Sequence, residues 1–251
     1  MKFDVKKIFD WKILLGLMLM ALSAVVYFIH YAVFRDAHHI FIYMIGDIAF
    51  VFIEVLLVTL VIHEMLAARE KISLLNKLNM VIGAFYSEVG TKLIRRFSTF
   101  ETCPSEIGKE LVIKKEWPDK RFDDLRKKAA SYSCPIDCRH GDLESVKDLL
   151  VNKRDFLLRL LENPNLLEHE TFTDLLWAVF HLTEELENRE SLKDLPAPDY
   201  EHMAGDIKRA YTLLVSEWLA YMKHLRSNYP YLFSLAVRTN PFDPQASVTL
   251  K

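Results

Sequence analysis

The chain has 251 residues, 51% of them hydrophobic, with only 7 Gly and 9 Pro. That length allows one large or two modest domains, and the composition favours helices. A net charge of −2 gives no electrostatic argument for nucleic-acid binding, and three cysteines are too few, and odd in number, for a disulfide framework.

Reduced thiols in a cytosolic compartment are therefore expected. The charge is unevenly placed: residues 1–100 hold 11 Lys and Arg against 8 Asp and Glu, which leaves 21 against 26 for the rest. Residues 13–34, ILLGLMLMALSAVVYFIHYAVF, contain no charged side chain. As a helix they reach about 33 Å, enough to cross a bilayer core. Lys6, Lys7 and Lys12 before the run, with ALSA inside it, also fit a secretory signal. The apolar run continues well past those small residues, which favours a retained anchor. A second span runs from about 40 to 62, and only RDAHH lies between, so the two form a hairpin. Lys2, Lys6, Lys7 and Lys12 flank one end and Arg69, Lys71 and Lys77 the other, against one Arg in the connection. The positive-inside rule then places both termini in the cytoplasm, with the turn outside an inner (cytoplasmic) membrane.

The second span carries two acids. Between 40 and 62 there are sixteen Ile, Leu, Val or Phe residues, favouring insertion by about 5–10 kcal/mol. Two ionised carboxylates near the centre, Asp47 and Glu54, cost about 5–7 kcal/mol together, so something must reduce that cost. The acids are seven residues apart and nearly on one helix face. Counted from the turn, Asp47 lies near the level of Ser23, Tyr27 and His30, which are candidate partners within the hairpin. Glu54 lies level with Gly16 to Met18, where the first span offers nothing polar. It must be protonated, face water, or meet another subunit. Two readings follow: the acids hold a helix bundle together, or they line an ion or proton path with His63 and Glu64 at its cytoplasmic mouth.

The helical pattern continues past the span. Leu75, Leu78, Ile82, Phe85, Val89 and Leu93 are spaced 3, 4, 3, 4 and 4 apart, a stripe for packing on another helix, read here as a stalk over 65–97. Residues 98–141 are punctuated by Pro104, Pro118 and Pro135 and read as a linker with short helices, one running from Pro118 to about Ala130. Residues 142–251 form a cytoplasmic helical bundle with helices at about 142–162, 170–189 and 199–228. Asp142 is an N-cap there. Leu175, Leu176, Val179 and Leu182 face inward on the second helix, and Ile207, Tyr211, Leu214, Trp218 and Tyr221 on the third. The apolar tail YPYLFSLAVRTNPFDP docks against the bundle or the membrane surface.

Catalytic motifs are lacking: there is no Gly-rich phosphate loop, no G-x-S-x-G and no H-E-x-x-H. His181 with Glu184 and Glu185, and Glu217 with His224, have spacings compatible with a metal, but charged residues so spaced are usually a solvated helix face. Cys103, Cys134, Cys138 and His140 supply four donors, enough for a tetrahedral zinc site. Zinc there is the one cofactor weighed, with reduced thiols in a linker the default.

HEMLAAREK, SEVGT and YPYLFSLAVRTNPF resemble stretches in an uncharacterised group of prokaryotic two-span membrane proteins with a helical cytoplasmic part. The resemblance covers most of the chain. It implies the architecture and no activity, so no catalytic residue is carried over. The expected molecule is all-α and non-enzymatic: a membrane hairpin over 1–64, the stalk, the linker and the helical domain. Its expected partners are membrane lipid, further copies of itself through the spans, and a protein docking on a scaffold or sensor domain, with no nucleic acid. The other expectation is a small oligomeric channel or proton-linked transport component using Asp47 and Glu54.

Overall fold

The computed structural model describes residues 5–103, 106–131, 134–164, 166 and 169–249. Ten α-helices are found among them: α1 Val5–Phe34, α2 Ala37–Phe85, α3 Thr91–Phe97, α4 Glu106–Glu110, α5 Asp119–Ala130, α6 Leu143–Asn152, α7 Arg154–Leu161, α8 Glu170–Glu187, α9 Ala197–Asn228 and α10 Pro230–Arg238. The fold is all-α. Its nearest approach to a sheet, among the described residues, is the isolated antiparallel bridge between Glu101 and Ile136.

The chain divides into two compact units, one ending at Glu70 and the other starting at Lys71. In the first, α1 and the start of α2 form a helical hairpin. The connection is only Arg35 and Asp36, with Arg35 left-handed at φ 49° and the Asp36 carboxylate accepting the His39 N–H at 3.1 Å. That capping contact pulls His38 and His39 into α2, so the five-residue turn expected at RDAHH shrinks to two. The apolar side chains of this hairpin lie open: Phe28 is 71% and Phe52 76% exposed. Both helices contain a stretch long and apolar enough to cross a membrane.

The second unit has one continuous core. Leu78, Ile82 and Phe85 at the end of α2, Val89, and Leu93, Ile94 and Phe97 of α3 are all buried in it, alongside Phe172, Leu175 and Leu182 of α8 and Ile207, Leu214 and Trp218 of α9. The stripe read as a stalk is therefore core from Leu78 onward, because the surface it seeks is α9. Between α2 and α3 the backbone widens into a π-helical turn, Tyr86–Gly90. Tyr86 is buried there, donating its hydroxyl to the Leu214 carbonyl at 2.8 Å and stacking on Tyr221 at 5.3 Å.

The region read as a linker is packed as well, with Phe100, Ile107, Leu111, Ile113, Phe122 and Leu125 buried. Near its ends, Thr102 N–H donates to the Pro135 carbonyl at 3.2 Å. This lays Cys103 beside Cys134, and the two form a disulfide with Cα atoms 6.1 Å apart. The expectation of three reduced thiols is thus corrected: the proximity is created by pairing across 31 residues, which spacing alone does not reveal. Cys138 is the free cysteine and is buried.

Further along, Asp142 caps α6 by accepting the Ser145 N–H at 3.0 Å. The single helix expected over 142–162 breaks into α6 and α7 at Lys153, whose backbone leaves the helical region (φ −108°, ψ 7°) and whose ammonium meets Glu88 at 2.7 Å. The tail docks on the core: Phe233 of α10 is buried, and the buried Asn240 donates to the Leu111 carbonyl at 2.9 Å. Helix α5 lies antiparallel to α9 and is tied to it by Asp119–Arg226 at 2.5 Å, Asp123–Lys223 at 2.7 Å and Arg126–Glu217 at 2.7 Å.

Two predictions follow from this packing. A methyl group at Gly90 would stand 2.6 Å from the Tyr86 ring and 2.9 Å from the Phe85 ring, whereas one at Gly205, exposed within α9, meets nothing within 4 Å. Gly90→Ala is expected to destabilise by about 1–3 kcal/mol and Gly205→Ala to stabilise by about 0.8–1 kcal/mol, read as opposite shifts of the denaturant midpoint. Protein purified without reductant and then denatured is expected to show one titratable thiol per chain, rising to three after reduction. Three before reduction would remove the disulfide.

Candidate functional site

Five polar side chains, drawn from both helices of the hairpin, come together around one cleft. Tyr27 and His30 of α1, with His39, Ile40, Tyr43 and Asp47 of α2, line a cleft of about 310 Å³. The two-residue connection sets this register. Running back from the turn, positions 30 and 27 are three apart on α1; running forward, 39, 43 and 47 are four apart on α2, so each set shares a helix face. His30 and His39 stack with ring centroids 6.0 Å apart, and His39 lies 4.5 Å from the Tyr43 ring. The Nε2 atom of His30 is buried with no hydrogen-bond partner.

Of the three side chains expected near Asp47, Tyr27 and His30 share its cleft; Ser23 does not line it and is exposed. His39 and Tyr43 went unnoticed because the first was read as loop and the second as an ordinary span residue. The signal was present in Asp36 as an N-cap, which starts α2 early enough to put 39, 43 and 47 on one face. Glu54 lies two turns beyond Asp47, about 10 Å further along α2, exposed and outside the cleft. His63 and Glu64 are exposed too.

In the second unit the four donors weighed for zinc are not available as a set. Cys103 and Cys134 are bonded to each other, and the exposed His140 sits 3.3 Å from the Asp137 carboxylate. Cys138 is 3% exposed, and its burial, with Asp137 alongside, pushes its thiol up to about 12. A neutral buried thiol is a poor metal ligand. The Glu217–His224 pair is also separated. Glu217 is 2% exposed and bound by the Arg126 guanidinium, which also donates to Ser216 Oγ at 3.2 Å. His224 instead faces the Asn228 amide at 3.1 Å, and burial lowers its basicity. Burial, reinforced by the Glu217 charge, likewise holds the Tyr86 phenol well above its ordinary range.

Two family models match, one to each part of the chain. Residues 6–66 match "MJ1433, N-terminal helical domain", and residues 74–238 match "Uncharacterized protein MJ1433, C-terminal helical domain". The chain is 45% identical over 238 residues to "Uncharacterized protein MJ1433" of Methanocaldococcus jannaschii, covering 95% of this chain and 96% of that one. No solved structure matches. Matched in both of its parts and along nearly its full length, the chain belongs to the MJ1433 helical-domain family.

Proposed function

We propose that the chain is an integral membrane protein without enzymatic activity: it inserts through the α1–α2 hairpin, self-associates there, and carries residues 71–251 as a cytoplasmic scaffold or sensor domain. The observation that carries this reading is the exposure of the hairpin. From Ile13 to Ile62 large apolar side chains lie open along both helices, with Phe28, Ile45 and Phe52 each more than 60% exposed. Monomers in water rarely leave contiguous apolar patches beyond a few hundred Å², whereas lipid tails are a solvent in which such a surface costs nothing. Exposed Glu54 interrupts that surface away from the polar cleft. A carboxyl there finds its hydrogen bonds most readily on another copy of the same span.

The orientation rests on basic residues at both hairpin ends, Lys6, Lys7 and Lys12 on one and Arg69, Lys71 and Lys77 on the other, against Arg35 alone at the turn. The Cys103–Cys134 disulfide argues the opposite way, since such bonds persist mainly in oxidising compartments. Protease protection decides between them: residues 71–251 are expected to be digested in inside-out vesicles and protected in right-side-out ones, and the reverse pattern would place the domain outside.

A second reading is favoured by the polar cleft. Tyr27, His30, His39, Tyr43 and Asp47 line one cleft of titratable groups on an apolar hairpin, the kind of side chains an ion or proton conductor needs. Flux measured in liposomes separates the two. Scaffolding expects none, while conduction expects a flux that Glu54→Gln or Asp47→Asn reduces. For the scaffold, the protein stays with the membrane through an alkaline wash. Glu54→Leu is expected to weaken self-association in detergent by about tenfold, the equivalent of 1–2 kcal/mol, and Glu54→Gln to leave it nearly intact. Oligomer size unchanged by Glu54→Leu would end the structural role of that carboxyl.

A further inference from the structure

Helices α8 and α9 bring together two imidazoles and a carboxylate that neither helix holds alone. The connection at 188–196 folds α9 back along α8. His181 and Glu185 stand one turn apart on α8, and His202 and Asp206 one turn apart on α9, so the four side chains share one stretch of the interface. Asp206 is 3% exposed. Its Oδ2 atom lies 3.5 Å from His181 Nε2 and 3.4 Å from His202 Nε2, yet accepts no hydrogen bond. The donor atoms of His181, His202 and Asp206 all fall within 4.8 Å of one another.

These distances are long for charge-assisted hydrogen bonds, which run about 2.7–2.9 Å. They match a shared central ion better. Two donors each about 2.0–2.2 Å from zinc at a tetrahedral angle stand about 3.3–3.6 Å apart. The surroundings fit a cation. Arg209 approaches Asp206 at its other oxygen, Oδ1, at 3.3 Å, leaving Oδ2 free. Arg189 is engaged by both Asp199 oxygens, at 2.7 and 3.0 Å, and by Glu185 at 2.6 Å. Three carboxylates therefore face two guanidiniums, and the excess is negative. Arg189 also fixes the Glu185 carboxylate beside the imidazoles, 4.0 Å from His181 and 3.8 Å from His202. Glu184, on the same turn of α8, is exposed and outside the group.

We infer that this is a binding site for one divalent transition-metal ion of the zinc class, with His181 and His202 as nitrogen ligands, Asp206 as the oxygen ligand, and water completing the coordination. Both imidazoles are about half exposed, at 46% and 53%, so the site opens to solvent and an ion enters without unfolding the core. Its ligands come from both helices, so occupancy clamps α8 to α9.

The test uses the full chain in detergent, stripped with a chelator and titrated with Zn²⁺. One zinc per chain is expected. His181→Gln and His202→Gln should each weaken binding at least tenfold, and the double variant should abolish it, while Cys138→Ser and His140→Gln leave it unchanged. At a hundredfold excess over its dissociation constant, Zn²⁺ should raise the unfolding midpoint by about 5–10 °C in the wild type and not in the double variant. Both histidines are half exposed, so the metal-free variants are expected to unfold at the wild-type midpoint, which separates lost binding from lost folding. Co²⁺ should give visible absorption bands that the double variant loses. Absence of bound zinc in the wild type overturns the site and leaves the two histidines as plain neighbours of Asp206. Zinc binding undiminished in the double variant overturns it equally.

Discussion

Helix α9 is covered by other helices on several of its sides. Met203, Ile207, Ala210, Leu214, Trp218, Leu219, Met222 and Leu225 are all buried along it, and α3, α5, α8 and α10 each lie against it. A helix buried on several sides does not show the single stripe of a surface helix. It acts instead as a post around which the others find a face. The requirement to cover α9 explains the π-helical turn: one extra residue between α2 and α3 lets Tyr86 reach the Leu214 carbonyl while Leu93, Ile94 and Phe97 still point inward. It explains the tail as well, since α10 lies along a further side of α9 and Phe242, beyond its end, sets its ring 5.4 Å from that of Trp218.

What was legible in the sequence depended on how local the cause was. Caps and breakers act within a few residues, so Asp142, Pro118 and the starts of α5, α6 and α8 stood within a residue or two of where they were expected. A 3-and-4 spacing shows that a helix has an apolar side, but not what covers it. That is why the stripe from Leu78 to Leu93 read as a surface for another helix without revealing that it joins the core of the second unit. The disulfide is a tertiary fact, created where 101–103 runs beside 134–136. The same holds for His181, His202 and Asp206. The sequence shows the turn spacing on each helix, and only the packing of α8 on α9 fixes which residues meet.

The hairpin presents the reverse situation. Its helices were evident from hydropathy alone, while its polar cleft turned on a single capping contact at Asp36. Moving the start of α2 back by three residues brings one more histidine into helical register with Tyr43 and Asp47. In an apolar setting each such group is expensive, and the cleft brings several of them together, with His39 in ring contact with both His30 and Tyr43. Glu54 gains nothing from that arrangement.

The three ion pairs between α5 and α9 bear on alignment more than on strength. Those of Asp119 and Asp123 lie at the surface, where a pair contributes little; Glu217 is buried and depends on Arg126. Their order along the helices is negative, negative, positive on α5 against positive, positive, negative on α9. If α5 slid one turn in one direction, Arg126 would arrive opposite Lys223 and Glu217 would be left buried without a cation. Sliding one turn the other way would bring Asp123 to Glu217. The ladder thus makes both neighbouring alignments repulsive, including at its single buried rung, where a stranded charge costs several kcal/mol. Apolar contacts between two helices are forgiving of a one-turn slip; this pattern of charges reads as a vernier that admits one setting.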